Sequence, residues 1–154
     1  MKTLNKFIDY KILKDFNLII EYYSGHIDGN DGIELIKKIK KDINYNPSFN
    51  VLVDFRDIDI NWTDEIDESL SNFIQFMKTN SDFISIQLSV LISKPMHAVL
   101  SELLKSEYAN FSIKQEIFST LESALFFLNI QKKHTPVVIE EINKFRKKLI
   151  IDEF

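Results

Sequence analysis

Residues 49–68 read FNVLVDFRDIDINWTDEIDE, and this stretch decides the fold. Val51 to Phe55 is apolar except for Asp54, as expected of a strand covered on both faces. The acidic residues after it read as a turn. That turn feeds a helix in which Ile66, Leu70, Phe73, Ile74 and Met77 recur at helical spacing. Thr63 is placed to cap this helix, and Asp64, Glu65, Asp67 and Glu68 lie near the positive end of its dipole. Strand, turn and helix in this order form the unit of an open α/β sheet, where ligands and partners meet the carboxyl ends of the strands.

Upstream, Tyr10 to Leu13 and Leu18 to Tyr23 are apolar or aromatic runs split by Lys14, Asp15, Phe16 and Asn17, a β-hairpin pattern. Gly25, Gly29 and Gly32 are the three glycines of the chain. All lie in SGHIDGNDG, residues 24–32, which reads as a loop with unusual backbone angles or close backbone approach. Ile33, Ile36, Ile39 and Ile43 predict a first helix ending before Asn46-Pro47.

Downstream, residues 84–92 predict a strand, and Ser93 with Pro95 starts a third helix bearing Val99, Leu100, Leu103 and Leu104. Glu116 to Phe118 is a last short strand. Ser119 and Glu122 have capping-box spacing before Leu121, Ala124, Leu125 and Leu128. After a polar connector, Pro136 starts a helix whose Val138, Ile142, Phe145 and Leu149 form one stripe. The expected organisation is one domain over residues 1–130, followed by a connector and C-terminal amphipathic helix over 131–154 that looks added to a finished domain.

The chain has 154 residues, no cysteine and a formal net charge of −4. Its length suits one domain with a sizeable core. The missing cysteines exclude disulfides, thiolate zinc sites and a cysteine nucleophile, and they fit a reducing compartment. No apolar run is long enough for a bilayer span, and the amino terminus lacks a signal-peptide core, so a cytoplasmic protein without stable membrane insertion is expected. The negative charge disfavours nucleic-acid binding. Lys37, Lys38, Lys40 and Lys41, and again Lys144, Arg146, Lys147 and Lys148, interleave with apolar stripes and read as solvated helix faces.

Three segments carry a family resemblance: DFNLIIEYYSGHID before the first helix, FNVLVDFRDI before the second, and EIFSTLESALFFL as terminal strand and helix. In this order and spacing, over roughly residues 8–130, the chain resembles the STAS and SpoIIAA-like group, named for sulfate transporters and anti-sigma-factor antagonists. The resemblance implies an α/β fold with a four- to five-stranded mixed sheet and alternating helices, to which this chain adds its C-terminal helix. It also implies a bacterial-type, non-catalytic regulatory or protein-interaction module. Phospho-regulated members carry a serine in an Asp-Ser-Ser-Gly type turn at the start of the second helix. That turn falls here on Trp62, Thr63, Asp64 and Glu65, so both serine and glycine are missing. The usual serine switch is therefore not expected. Thr63 is the candidate phospho-acceptor, with simple helix capping as its structural role, and Asp64 is placed to act as a permanent negative charge. The wider SpoIIAA-like branch implies an alternative, a carrier or binder of a lipid or small apolar ligand.

His26, Asp54, Arg56, Asp57, Trp62, Thr63 and Asp64 are the candidate partner or ligand surface. Carboxylates at Asp54, Asp57, Asp59, Asp64 and Asp67 have the chemistry of a magnesium site. Adjacent strand positions point to opposite faces, however, which favours a solvated acidic turn with Asp54 and Arg56 in a local ion pair. No metal or cofactor is expected. Ser93-Lys94-Pro95 and Asp54 are similar to elements of response-regulator receivers, but only one helix fits between them and the acidic magnesium pair is missing. His26, His97 and His134 lack metal-ligand spacing and read as surface or half-buried groups, and the glycine-rich segment matches no nucleotide fingerprint. Trp62 is a candidate interface anchor or, with Tyr22, Tyr23 and Phe55, the lining of an apolar pocket. The stripe of Val138, Ile142, Phe145 and Leu149 either packs on its own domain or serves a homodimer or partner groove. Glu140, Glu141, Asp152 and Glu153 weaken any attraction of this helix to a membrane surface.

Overall fold

The computed structural model describes residues 6–60, 64–80, 86–108 and 111–151. No helix among them is long and apolar enough to cross a membrane. Strands β1 (Phe7–Leu13) and β2 (Leu18–His26) form the expected hairpin. Its corner is a short 3-10 turn, after which Asn17 takes a left-handed backbone (φ 51°), a conformation asparagine tolerates well. The remaining elements are α1 (Gly29–Lys40), β3 (Asn50–Asp59), α2 (Asp64–Thr79), β4 (Ile86–Leu91), α3 (Pro95–Tyr108), β5 (Ile113–Phe118), α4 (Leu121–Phe127) and α5 (Thr135–Ile151).

The five strands lie in the order β1-β2-β3-β4-β5, with β1 antiparallel to β2 and every later pair parallel. Each crossover from β2 onward steps to the next strand in the same direction. A right-handed connection then places every crossover helix on the same face of the sheet. Residues of α1, α2 and α3 accordingly share one core with Ile19, Tyr23, Val51, Val53, Leu88 and Val90. The other face is left to α4 and α5, which enclose a second core with Leu18, Ile20, Tyr22 and Leu52.

This division decides between the two readings of the C-terminal stripe in favour of packing on its own domain. Val138, Ile142, Phe145 and Leu149 are between 0% and 8% exposed, and the first three belong to the second core. The sheet needs a cover on that face, so the stripe is buried within the chain itself and is not open to a partner. Arg146 on the same helix ties it to β3 by donating from Nε to Asp57 Oδ2 at 2.9 Å.

Residues 24–32 are not a loop. Gly25 closes β2 with a positive φ of 80°, and Gly29 and Gly32 already belong to α1. Asp28 caps this helix, accepting from the backbone N–H groups of Asn30 and Asp31, while Asp31 accepts from the N–H of Asp28. Gly29 marks a close approach of two helices: a Cβ there would stand 2.0 Å from the carbonyl oxygen of Ser69 on α2. The close approach was legible in the glycines, but the capping box was not. At α4 the cap is Thr120, whose Oγ1 accepts from the N–H of Ser123, one residue beyond the expected Ser119. On α3, Leu100 and Leu104 are buried while Val99 and Leu103 are 50% and 44% exposed, so the buried stripe is narrower than its sequence suggests.

Candidate functional site

The carboxyl end of β3 is strand where a turn was expected, since β3 continues to Asp59. The register with β2 jumps between Tyr22↔Asp54 and Ser24↔Asp57, which inserts one extra residue into β3. The bulge breaks strict alternation, and the side chain of Asp57 reaches Tyr22 and Arg146. Asp54 is fully buried and held by Arg56, with Nε to Oδ1 at 3.0 Å and a terminal guanidinium nitrogen to Oδ2 at 2.8 Å. Tyr22 stacks on Phe145 and donates its hydroxyl to Asp57. Asp54 and Asp57 are thus held in paired structural contacts. Among the described residues no group of three His, Asp or Glu side chains is arranged to hold a metal ion.

Of the candidate surface residues, His26, Asp54, Arg56 and Asp57 have described side chains, and these four do not form one site. Asp54, Arg56 and Asp57 are taken up in the contacts just described. His26 sits at the open end of β2, its Nε2 3.6 Å from Asp59 Oδ2, with both side chains about half exposed. Trp62 and Thr63 lie outside the described residues, as does the side chain of Asp64, whose backbone opens α2. His97, expected at or near the surface, is 1% exposed. Its Nε2–H donates to the carbonyl of Ile58 at 3.0 Å while Nδ1 accepts from the N–H of Ser93 at 3.4 Å, so it pins α3 to the end of β3. Burial lowers its pKa, against the opposing hydrogen bond to Ile58.

The opposite face of the sheet holds a cavity of about 130 Å³ beneath α1, α2 and α3. Its floor is Ile19, Val51, Val53, Leu88 and Val90, and its roof includes Ile36, Leu70, Phe73, Leu100 and Leu104. Tyr23 and Phe55, both expected to line an apolar pocket, are here and meet edge to face at 5.2 Å. Tyr22 is not, because alternation sends it to the second core.

A small polar set stands within this lining. Glu21 is 8% exposed and accepts from the Tyr23 hydroxyl at 2.8 Å. Burial pushes its carboxyl up to about 7, only partly opposed by that hydrogen bond. Tyr23 and Tyr108 are raised by burial and further by the nearby Glu21. At the far side, Gln115 donates from Nε2 to the carbonyl of Ser101 at 2.8 Å, and its Oε1 is buried without a hydrogen-bond partner. The opposite amide orientation would set two oxygens against each other, which fixes Oε1 as the free atom.

Glu21, Tyr108 and Gln115 were not singled out from sequence. The signal for Glu21 was nevertheless there: LIIEYY, residues 18–23, places one carboxylate inside an apolar strand. Alternation groups Glu21 with Ile19 and Tyr23 on one face, and a strand covered on both faces has no solvent side for it.

No protein-family model and no curated protein matches the chain. Among solved structures, it is similar to an uncharacterized protein of the DUF3478 family from Shewanella loihica PV-4, described as having a SpoIIAA-like fold. The match has a TM-score of 0.54 at 12% identity and covers 83% of this chain and 98% of the other. With its mixed five-stranded sheet, crossover helices on one face and terminal helices on the other, the chain has a SpoIIAA-like fold.

Proposed function

We propose that this chain is a non-catalytic binding module that holds a small apolar ligand between the sheet and helices α1–α3. The observation that carries the reading is the cavity of about 130 Å³ between the sheet and these helices. Forgoing side-chain packing over a volume of this size costs about 3 kcal/mol at ~24 cal/mol per Å³. Its volume is near that of the ~150 Å³ engineered apolar cavity known to take up benzene. Aliphatic walls with a few placed polar groups are the usual make-up of small-molecule sites. The raised carboxyl of Glu21 inside that lining adds a second mark of a functional site.

The test is native mass spectrometry of protein freshly purified from cells, followed by denaturing analysis of the released mass. A bound small molecule that is lost in Leu88→Phe, which fills the cavity floor, is the expected result. Wild type that carries nothing and takes up no apolar probe would sink the reading.

Exposed Met96, Val99 and Leu103 on α3 favour a second reading, a protein-contact or regulatory surface on that helix. Self-association is its simplest form. Sedimentation should then show a concentration-dependent dimer in wild type that Val99→Lys abolishes, and monomer at every concentration would remove it.

A further inference from the structure

The polar groups of the cavity are unevenly matched. Glu21 receives one hydrogen bond, from Tyr23, and among the described residues no basic side chain forms an ion pair with it. Gln115 adds a second acceptor without a donor. From the β2–β5 register, three strand steps of ~4.8 Å put these groups roughly 14 Å or more apart, so a ligand matched to the cavity volume engages one of them as its head site. Glu21 is the group with charge to offer, and Tyr23 fixes one of its oxygens. The charged residues at the cavity wall are otherwise engaged: Asp28 caps α1, and Lys40 donates to the carbonyl of Asn80.

We propose that the cavity selects a small hydrophobic amine, its ammonium head on the Glu21 carboxylate beside Tyr23 and its apolar body over Val53 and Val90. This rests on the cavity reading above and names its ligand class. A buried carboxylate without a cation is among the least favourable groups a core can hold, and an entering ammonium supplies both charge and N–H donors. An alcohol of the same length fills the same space without the charge. A carboxylic acid brings like charge to the head site.

The pH dependence follows from the groups facing Glu21. These are Tyr23 on its own strand and Tyr108 on α3, phenols that are neutral near pH 7 and that burial raises further, with Asp31 of α1 further off and paired to Lys6. With Glu21 titrating near 7 in the free protein, an amine must displace a proton below that value. Amine affinity therefore falls about tenfold from pH 8 to pH 6.

The experiment is calorimetric titration of the full chain with hexylamine, hexan-1-ol and hexanoate at pH 8 and pH 6. The expected result is hexylamine at least tenfold tighter than hexan-1-ol at pH 8, weakening at pH 6, with hexanoate weakest. Glu21→Gln, nearly isosteric and checked for folding by circular dichroism, should bring hexylamine down to the level of the alcohol and remove its pH dependence. Hexan-1-ol or hexanoate binding as tightly as the amine in wild type would overturn the amine assignment but keep the cavity reading. So would amine binding that ignores pH. Binding of none of the three would overturn both.

Discussion

The two faces of the sheet are covered by helices of different attachment, and they pack differently. On one face α4 and α5 follow the last strand, and their core of Leu18, Ile20, Tyr22, Leu52, Ala124, Leu125, Leu128, Val138, Ile142 and Phe145 is at most 4% exposed. Its polar groups are matched, with Asp57 serving both Tyr22 and Arg146. On the other face α1, α2 and α3 are each tied at both ends to neighbouring strands, and a cavity lies beneath them with a carboxyl and a free amide oxygen in its lining. One sheet thus carries a structural face and a face that gives up stability. The cavity and the buried carboxyl are each worth about 3 kcal/mol, large against the 5–15 kcal/mol by which domains are stable.

The most direct way to break this contrast is a matched truncation. Leu52→Ala, in the filled core, should cost about 4 kcal/mol by urea unfolding, whereas Leu88→Ala, on the cavity floor, should cost about 2, since Leu88 already lacks packing partners on one side. Equal losses would mean that the two faces are packed alike. Gly29→Ala should cost about 3 kcal/mol, because the added methyl meets the Ser69 carbonyl and must part α1 from α2. A variant as stable as wild type would show that the cavity roof is free to shift.

Glu21→Gln sharpens the comparison through pH. The folded-state pKa of Glu21 is raised to about 7 from 4.5, so the native state binds the extra proton and stability falls as pH rises from 4.5 through 7. The variant should exceed wild type by about 3 kcal/mol at pH 8 and match it at pH 4. A constant difference across that range would place the effect outside Glu21 ionisation. The smallest effect belongs to the structural face: Tyr22→Phe should cost about 1–2 kcal/mol, since it removes one hydrogen bond to Asp57 while Arg146 keeps another.

Much of the fold was legible in short-range pattern. The hairpin, the central apolar strand and the alternation with helices all rest on periodicity and turn residues, which act within a few positions of one another. The candidate site was legible only at Tyr23 and Phe55. The stretch from Asp54 to Asp59 reads as a polar turn because its charges are dense, yet pairing with β2 and the partners Arg56 and Arg146 keep it in the sheet. Arg146 lies 89 residues from Asp57 in the chain, a separation no local pattern can report.

By itself the sequence determined the order of strands and helices, a glycine-marked stretch at residues 24–32 suited to unusual backbone angles or close approach, and the presence of one carboxylate within an apolar strand. Only the tertiary structure decided that α5 covers the second face, that Asp57 is met by Arg146 of that helix, and that Glu21 opens into a cavity. The physical reason is common to all three. Backbone propensity and side-chain alternation are local, while the helix that covers a face, the cation that reaches Asp57 and the volume that side chains leave unfilled depend on which distant segments the crossovers bring together.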